Sequence, residues 1–219
     1  MADISKRASE LALDLRSYVY LDSLQPQHAA FLGTVAKGFL PVGGQASLFI
    51  EIAPGIAINH LTDVAVKATR VTPGMQIVER LYGLLEIHHD DQAEVRRAGD
   101  TILREIGATE DSRLKPEILS SQVIRHLDDR QTQLINRVRH GHMIVAGQSL
   151  YTLEVQPAAN AAIAANEAEK AARIKVLEIV SFGSLGRVYL AGNDRDIDVA
   201  APAAEAAIRR LEGRSPAHK

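Results

Sequence analysis

The sequence repeats itself at a displacement of 103 positions. Ala65, Lys67, Ala68 and Arg70 return as Ala168, Lys170, Ala171 and Arg173, and Gly83 returns as Gly186. Upstream, Gly44-Gln45, Glu51 and Pro54 return as Gly147-Gln148, Glu154 and Pro157. Leu24/Leu127, Val35/Val138, Gly38/Gly141, Val42/Val145 and Asp91/Asp194 complete the set. That makes 14 identities over 68 gapless positions, where chance in so Ala-rich a chain gives about 5. A chain of 219 residues is therefore read as two copies of one domain of roughly 100 residues. The expected boundaries are 1–14 for an N-terminal extension of helical pattern, 15–112 and 113–213 for the copies, and 214–219 for a loose tail.

Composition narrows the classes of function. The net charge of −2 and a pI near 6.4 argue against a nucleic-acid module, which usually carries a basic face. The absence of cysteine excludes disulfides, thiolate catalysis and cysteine metal sites. Lys6-Arg7 is not followed by the apolar run of a secretory signal, and no stretch approaches a membrane span. Aromatics are only 4%, and the abundant alanine suits close helix-on-sheet packing and tight subunit contacts.

Along the first copy, the patterns predict a strand over 16–22, a helix over 25–35 entered through Pro26, and a strand over 46–52. A helix over 56–70 follows. Pro73-Gly74 is expected to break the chain before a short strand over 75–78, followed by a strand over 83–88. A helix over 91–106 shows Val95, Ala98, Ile102 and Ile106 on one face, with Gly107 as its stop. Residues 108–115 read as a linker. The second copy repeats the order: strand 117–124, helical piece 127–139, strand material in 143–155, helix 160–173, strands 174–180 and 186–190, and helix 200–211. This is an α/β architecture of the α+β sandwich kind, a ferredoxin-like sheet in permuted order, made twice.

No catalytic set stands out. His88-His89-Asp90-Asp91 has metal-ligand residue types, but adjacent strand positions point to opposite faces, so Asp90 or Asp91 reads as a helix cap. The second copy keeps that cap as Asn193-Asp194 and has no histidines there. His140-Gly141-His142 reads as a turn. No Gly-rich phosphate loop is visible. No cofactor or metal is expected. Glu51 and Glu154 stand alone in apolar strands and read as edge charges against mispairing or as subunit contacts. Glu79 and Arg80 lie side by side at the end of a strand, just before Tyr82-Gly83, and the second copy has Phe182 and Gly183 opposite them.

The run from Glu51 through Lys67-Ala68 to Gly83, and its echo from Glu154 through Lys170-Ala171 to Gly186, resembles the bacterial microcompartment (BMC) domain of polyhedral organelle shells. Tyr20 to Gln27, Ile77 to Arg80, Leu134 to Arg137 and Ala165 to Lys170 are similar to the permuted, gated-pore subclass, typified by the tandem carboxysome shell protein. The resemblance implies a homotrimer that looks like a hexamer, stacked face to face in pairs, tiling a shell facet with other BMC shell proteins. It implies a pore on the threefold axis, lined by Glu79, Arg80, Leu81 and Tyr82 and by Ser181, Phe182, Gly183 and Ser184, with Glu79 and Arg80 as the gate. It implies edge contacts at Lys67 and Lys170, and passage of small charged or phosphorylated metabolites. The implied place is the cytoplasm, in the shell of a carboxysome or a catabolic microcompartment, with no nucleic acid and no membrane as partner. The competing expectation is a ferredoxin-like sensor or enzyme with a metabolite site between the two repeats.

Overall fold

The computed structural model describes residues 13–215; most of the expected N-terminal extension, residues 1–12, lies outside them. The first half runs β1 (Asp14–Leu21), α1 (Pro26–Val35), β2 (Ala46–Ala53), α2 (Ile58–Ala68), β3 (Thr72–Glu79), β4 (Tyr82–His89) and α3 (Gln92–Glu105). The second runs β5 (Glu117–Ile124), α4 (Asp129–Val138), β6 (Ser149–Gln156), α5 (Ala161–Ala171), β7 (Lys175–Val180), β8 (Gly186–Gly192) and α6 (Asp194–Arg209). Each half makes one four-stranded antiparallel sheet, ordered β1-β2-β4-β3 and β5-β6-β8-β7. The registers repeat as well: Val19 faces Phe49 as Gln122 faces Thr152, and Glu51 faces Leu84 as Glu154 faces Arg187.

Strand alternation decides the layers. Leu48, Ile50, Ile52, Leu85 and Ile87 turn to one face and meet Leu61 and Ala65 of α2 and Val95, Ala98 and Ile102 of α3. Each large aliphatic chain buried here contributes about 1.5–3 kcal/mol. In the second half Leu153, Val155, Val188 and Leu190 meet Ala161, Ala165 and Ala168 of α5 and Ile197, Ala204 and Ile208 of α6. The alanine face of α5 lets it lie close to the sheet. Helix starts follow the sequence: the Asp91 side chain accepts from Ala93 N–H, and the Asn193 side chain accepts from Asp196 N–H. Gly107 ends α3 with φ +64.

Several expectations are corrected. Pro73-Gly74 does not break the chain; both lie inside β3, with the register shifting between Pro73 and Met75. β3 is an edge strand, where proline costs no ladder bond, and the Pro73 and Gly74 carbonyls accept from Phe39 and Gly38 N–H. The last helix begins at Asp194 rather than at 200, because the cap stands there, and it accommodates Pro202 at an exposed position. Strand β6 begins only at Ser149. The expected linker is ordered: Thr109 and Ser112 make a capping box, and Arg113 donates to Tyr18 O at 2.9 Å. Arg214 is anchored too, donating to Ser112 O at 2.8 Å and pairing with Asp14.

Candidate pore loops and the seam between the halves

Glu79 and Tyr82 close the β3–β4 hairpin, so only Arg80 and Leu81 form the turn. Such a two-residue turn favours left-handed backbone. Arg80 supplies it at φ +54, and its side chain is 84% exposed, with Nε 3.7 Å from Glu79 Oε1. Leu81 is exposed beside it. The second copy replaces this tight turn by a looser loop over 181–185. Gly183, the repeat of Arg80, is also left-handed at φ +90. Ser181 is buried, Phe182 packs on the core between the halves, and Ser184 is exposed. A Cβ on Gly183 would stand 3.5 Å from Glu79 Cγ, so the loops of the two copies meet inside one chain. A cleft of about 870 Å³ opens between β3 and β7, walled by Ile77, Val78, Ile179, Val180 and Phe182.

Behind the turn, Tyr82 joins the loop to the contact between the halves. The Arg16 guanidinium lies 3.6 Å over the Tyr82 ring and donates to Glu51 at 2.7 Å. The second Glu51 oxygen accepts from Ala159 N–H at 3.0 Å. Burial pushes the Glu51 carboxyl up, while Arg16 and the backbone donor hold it down. Glu51 therefore joins the two halves and is not an edge charge: β2 pairs with both β1 and β4, and β6, which carries Glu154, is equally internal. Glu154 pairs with Arg187 at 2.9 Å.

The seam continues along α1 and α5. Gln25 N–H donates to Asn166 Oδ1, and the Asn166 amide donates to Ser23 O. Glu169 accepts from Gln27 and His28 N–H at 2.8 and 3.0 Å, which caps α1 from the other half. His28 is fully buried between Asn166 and Phe49, and burial lowers its pKa to about 4. Lys170 joins this seam, bonded to Asp22 at 3.0 Å and Glu167 at 2.8 Å, whereas Lys67 is 74% exposed and pairs with Asp63. The 79–82 and 181–184 loops are thus brought together by the fold, and the two lysines are set in different surroundings. His88 is buried against Glu86, and among the described residues no group of three or more His, Cys, Asp or Glu could hold a metal.

The family of the CsoS1D N-terminal domain matches residues 15–112. The carboxysome shell protein CcmP of Synechococcus elongatus is 57% identical over 204 residues, covering 93% of this chain and 96% of that protein. The chain belongs to the CcmP/CsoS1D family of shell proteins. CsoS1D of Hydrogenovibrio crunogenus is 46% identical over 204 residues, covering 93% of this chain and all of that protein. Two solved structures share the fold along nearly the whole chain. The fused permuted hexameric shell protein MSM0275 from the RMM microcompartment has a TM-score of 0.89 at 44% identity, covering 92% of this chain and 100% of that one. The double ringed trimeric shell protein MSM0271 has a TM-score of 0.90 at 36% identity, covering 93% and 100%. As a CcmP/CsoS1D relative the chain is a structural shell protein and not an enzyme.

Sequence reasoning did not find the residues that hold this family fold together across its seam: Arg16, His28, Asn160, Asn166 and Glu169. One signal was available, since Glu51 and Glu154 stood in strands too apolar to carry an idle charge.

Proposed function

We propose that three chains close a ring with the 79–82 and 181–184 loops around its axis, and that Glu79 and Arg80 gate the opening. The observation that carries this is the Arg80 turn: a charged, exposed side chain on left-handed backbone in a two-residue loop, set against the Gly183 loop of the other copy. Three Glu79 and three Arg80 at one axis repel within each set and attract between sets. Such a ring has two arrangements, with Arg80 reaching across to neighbouring carboxylates or both side chains folded back. The ring would stack on a second one face to face, as in the relative described as double ringed, and the pair would work as an airlock for small charged or phosphorylated metabolites. The two named carboxysome proteins favour a place in a carboxysome shell facet in the cytoplasm, among other shell proteins. Among the described residues no helix is long and apolar enough to cross a membrane. Lys67 and Lys170 would lie at the rim of the ring, the second tethered by its ion pairs.

The double variant Glu79→Ala/Arg80→Ala tests the gate, because neither side chain supplies much buried apolar area. It should keep the wild-type oligomer in native mass spectrometry and show only open pores by cryo-electron microscopy. Sealed pores in the double variant would remove Glu79 and Arg80 from the gate. A monomeric wild-type protein holding a small molecule in the cleft would overturn the shell reading in favour of a metabolite sensor.

A further inference from the structure

The two sheets share one irregularity and use it differently. In β1 the register against β2 shifts between Leu15 and Ser17, so Arg16 is the extra residue of a bulge. In β5 it shifts between Ile118 and Ser120, and the extra residue is Leu119. A bulge re-aims the side chains around it. In the first half it turns Arg16 toward the face that the second half covers, and the residue is only 6% exposed. Leu119, its repeat, is 43% exposed. A buried guanidinium needs partners for its charge and its donors. Glu51 takes Nε at 2.7 Å, but among the described residues the buried Nη2 meets no acceptor. The guanidinium carbon lies 3.6 Å from the centre of the Tyr82 ring. The electron-rich ring face is thus the second partner of the cation.

Tyr82 closes the hairpin against Glu79 and stands two residues from Arg80. Its backbone is tied as well: Gly55 N–H donates to Leu81 O at 2.8 Å, and a Cβ on Gly55 would stand 2.4 Å from the Tyr82 carbonyl carbon. The second copy has neither the cation nor the ring, because Leu119 and Leu185 occupy those positions. We propose that Arg16 is a positioning residue for the pore turn, holding Tyr82, and through it Arg80, from the contact between the halves. The proposal rests on the gate reading above. An unbroken run of contacts carries it: Ala159 N–H on one Glu51 oxygen, Arg16 on the other, Tyr82 on Arg16, and Arg80 on the turn that Tyr82 closes. The stack coexists with Arg80 beside its own Glu79, at 3.7 Å, as in the folded-back arrangement of the gate. A contact made in one arrangement and lost in the other favours the first by its own free energy. Arg16 therefore favours the open pore, and an Arg80 that reaches across the axis draws the turn off its support.

Arg16→Leu strips Glu51 of its countercharge and unsettles the whole chain, so the test is made on the ring. Tyr82→Leu installs the residue type that the repeat carries at Leu185, and Tyr82→Phe keeps the ring face. In cryo-electron microscopy of the assembled protein, Tyr82→Leu should raise the ratio of closed to open pores about fivefold to thirtyfold, the worth of a desolvated cation–ring contact. Tyr82→Phe should stay within about twofold of wild type. Hydrogen exchange over residues 76–84 should quicken in Tyr82→Leu alone, and exchange in α3 should match wild type in both variants. A wild-type ratio in Tyr82→Leu, or an equal change in Tyr82→Phe, would overturn the role of Arg16. Exchange quickened throughout the chain would overturn it too, by reducing the stack to a packing contact. Sealed pores in Glu79→Ala/Arg80→Ala would remove the gate, yet quickened exchange confined to 76–84 in Tyr82→Leu would still set the turn on Arg16.

Discussion

Helices α1 and α4 hold the same place in the two halves and are capped in opposite ways. α1 begins at Pro26 with no side-chain cap of its own, and Glu169 from the other half takes two of its free N–H groups. α4 caps itself, with Asp128 accepting from Arg130 N–H. The repeat of Glu169 is Val66, which can cap nothing. Dependence between the halves is therefore unequal. The first half is finished by the second through Glu51, Asn166 and Glu169, whereas the second half caps α4 itself, takes only the Gln27 amide at the start of β7, and keeps a polar outer sheet face. A duplicated domain thus carries one completed seam, and the face of the second sheet equivalent to the covered one stays polar.

The largest break in this comparison comes from the paired glutamates. Glu51→Ala leaves Arg16 buried and charged, with Ala159 N–H unpaired, and removing one member of a buried pair costs about 3–5 kcal/mol. Glu154→Ala removes a partly exposed pair, worth about 1 kcal/mol or less to the single chain. For a chain of this size the first should lower the thermal midpoint by about 10 °C and the second by less than about 4 °C. Thermal unfolding of both variants under conditions that keep the chains apart checks this. Equal losses would mean that the two glutamates do the same work and that the asymmetry of the halves is superficial.

The seam inside the chain also has a pH signature that the other half lacks. His28 is buried neutral, with its pKa lowered to about 4 by burial, against an ordinary value near 6.5. The unfolded chain therefore binds the extra proton first as pH falls, so the stability that neutral His28 contributes is present above about pH 6.5. It is lost between about pH 6.5 and 4, reaching about 3 kcal/mol at the acid end. Glu51 and Glu169, raised by burial, act in the opposite direction, so the informative quantity is the difference between wild type and a variant. His28→Gln should flatten the decline in denaturant-derived stability from pH 6.5 to 4 by about that amount. Gln131 is the repeat of His28, and replacing it should leave the decline unchanged.

How much of this was legible follows from how far each cause reaches along the chain. The repeat, the two sheets and most strands came from patterns a few residues long, and the caps at Asp91 and Asn193 from single residue types. The hairpin that carries Glu79 and Arg80 was visible because its signal is local. The role of Glu51 was not, because its partner is a backbone N–H 108 residues away and strand order decides whether a charge sits at an edge. Pro73-Gly74 misled for the same reason: a proline says where a ladder bond is missing, and only the sheet says whether one was needed. Lys170 matched Lys67 in sequence and each pairs with a carboxylate of its own helix, yet the seam gave Lys170 a second one, Asp22, that Lys67 does not have.

The smallest effect sharpens the comparison at the loops themselves. Arg80 and Gly183 occupy one position of the repeat, and both are left-handed, at φ +54 and +90. Glycine adopts that backbone without a Cβ clash, whereas a side chain costs about 1–2 kcal/mol there. The first half accepts this cost where its own repeat shows that glycine would serve the turn. Arg80→Gly should therefore stabilise the single chain, with part of the gain offset by the larger entropy of glycine in the unfolded state, leaving about 1 kcal/mol or less. The variant also removes the guanidinium 3.7 Å from Glu79, an exposed pair worth little to folding. The expected result is a thermal midpoint raised by at most about 2–4 °C, together with loss of the closed state of the proposed gate. A midpoint lowered instead would show that Arg80 is held for the stability of its own hairpin, and its charge would then need no gate to explain it.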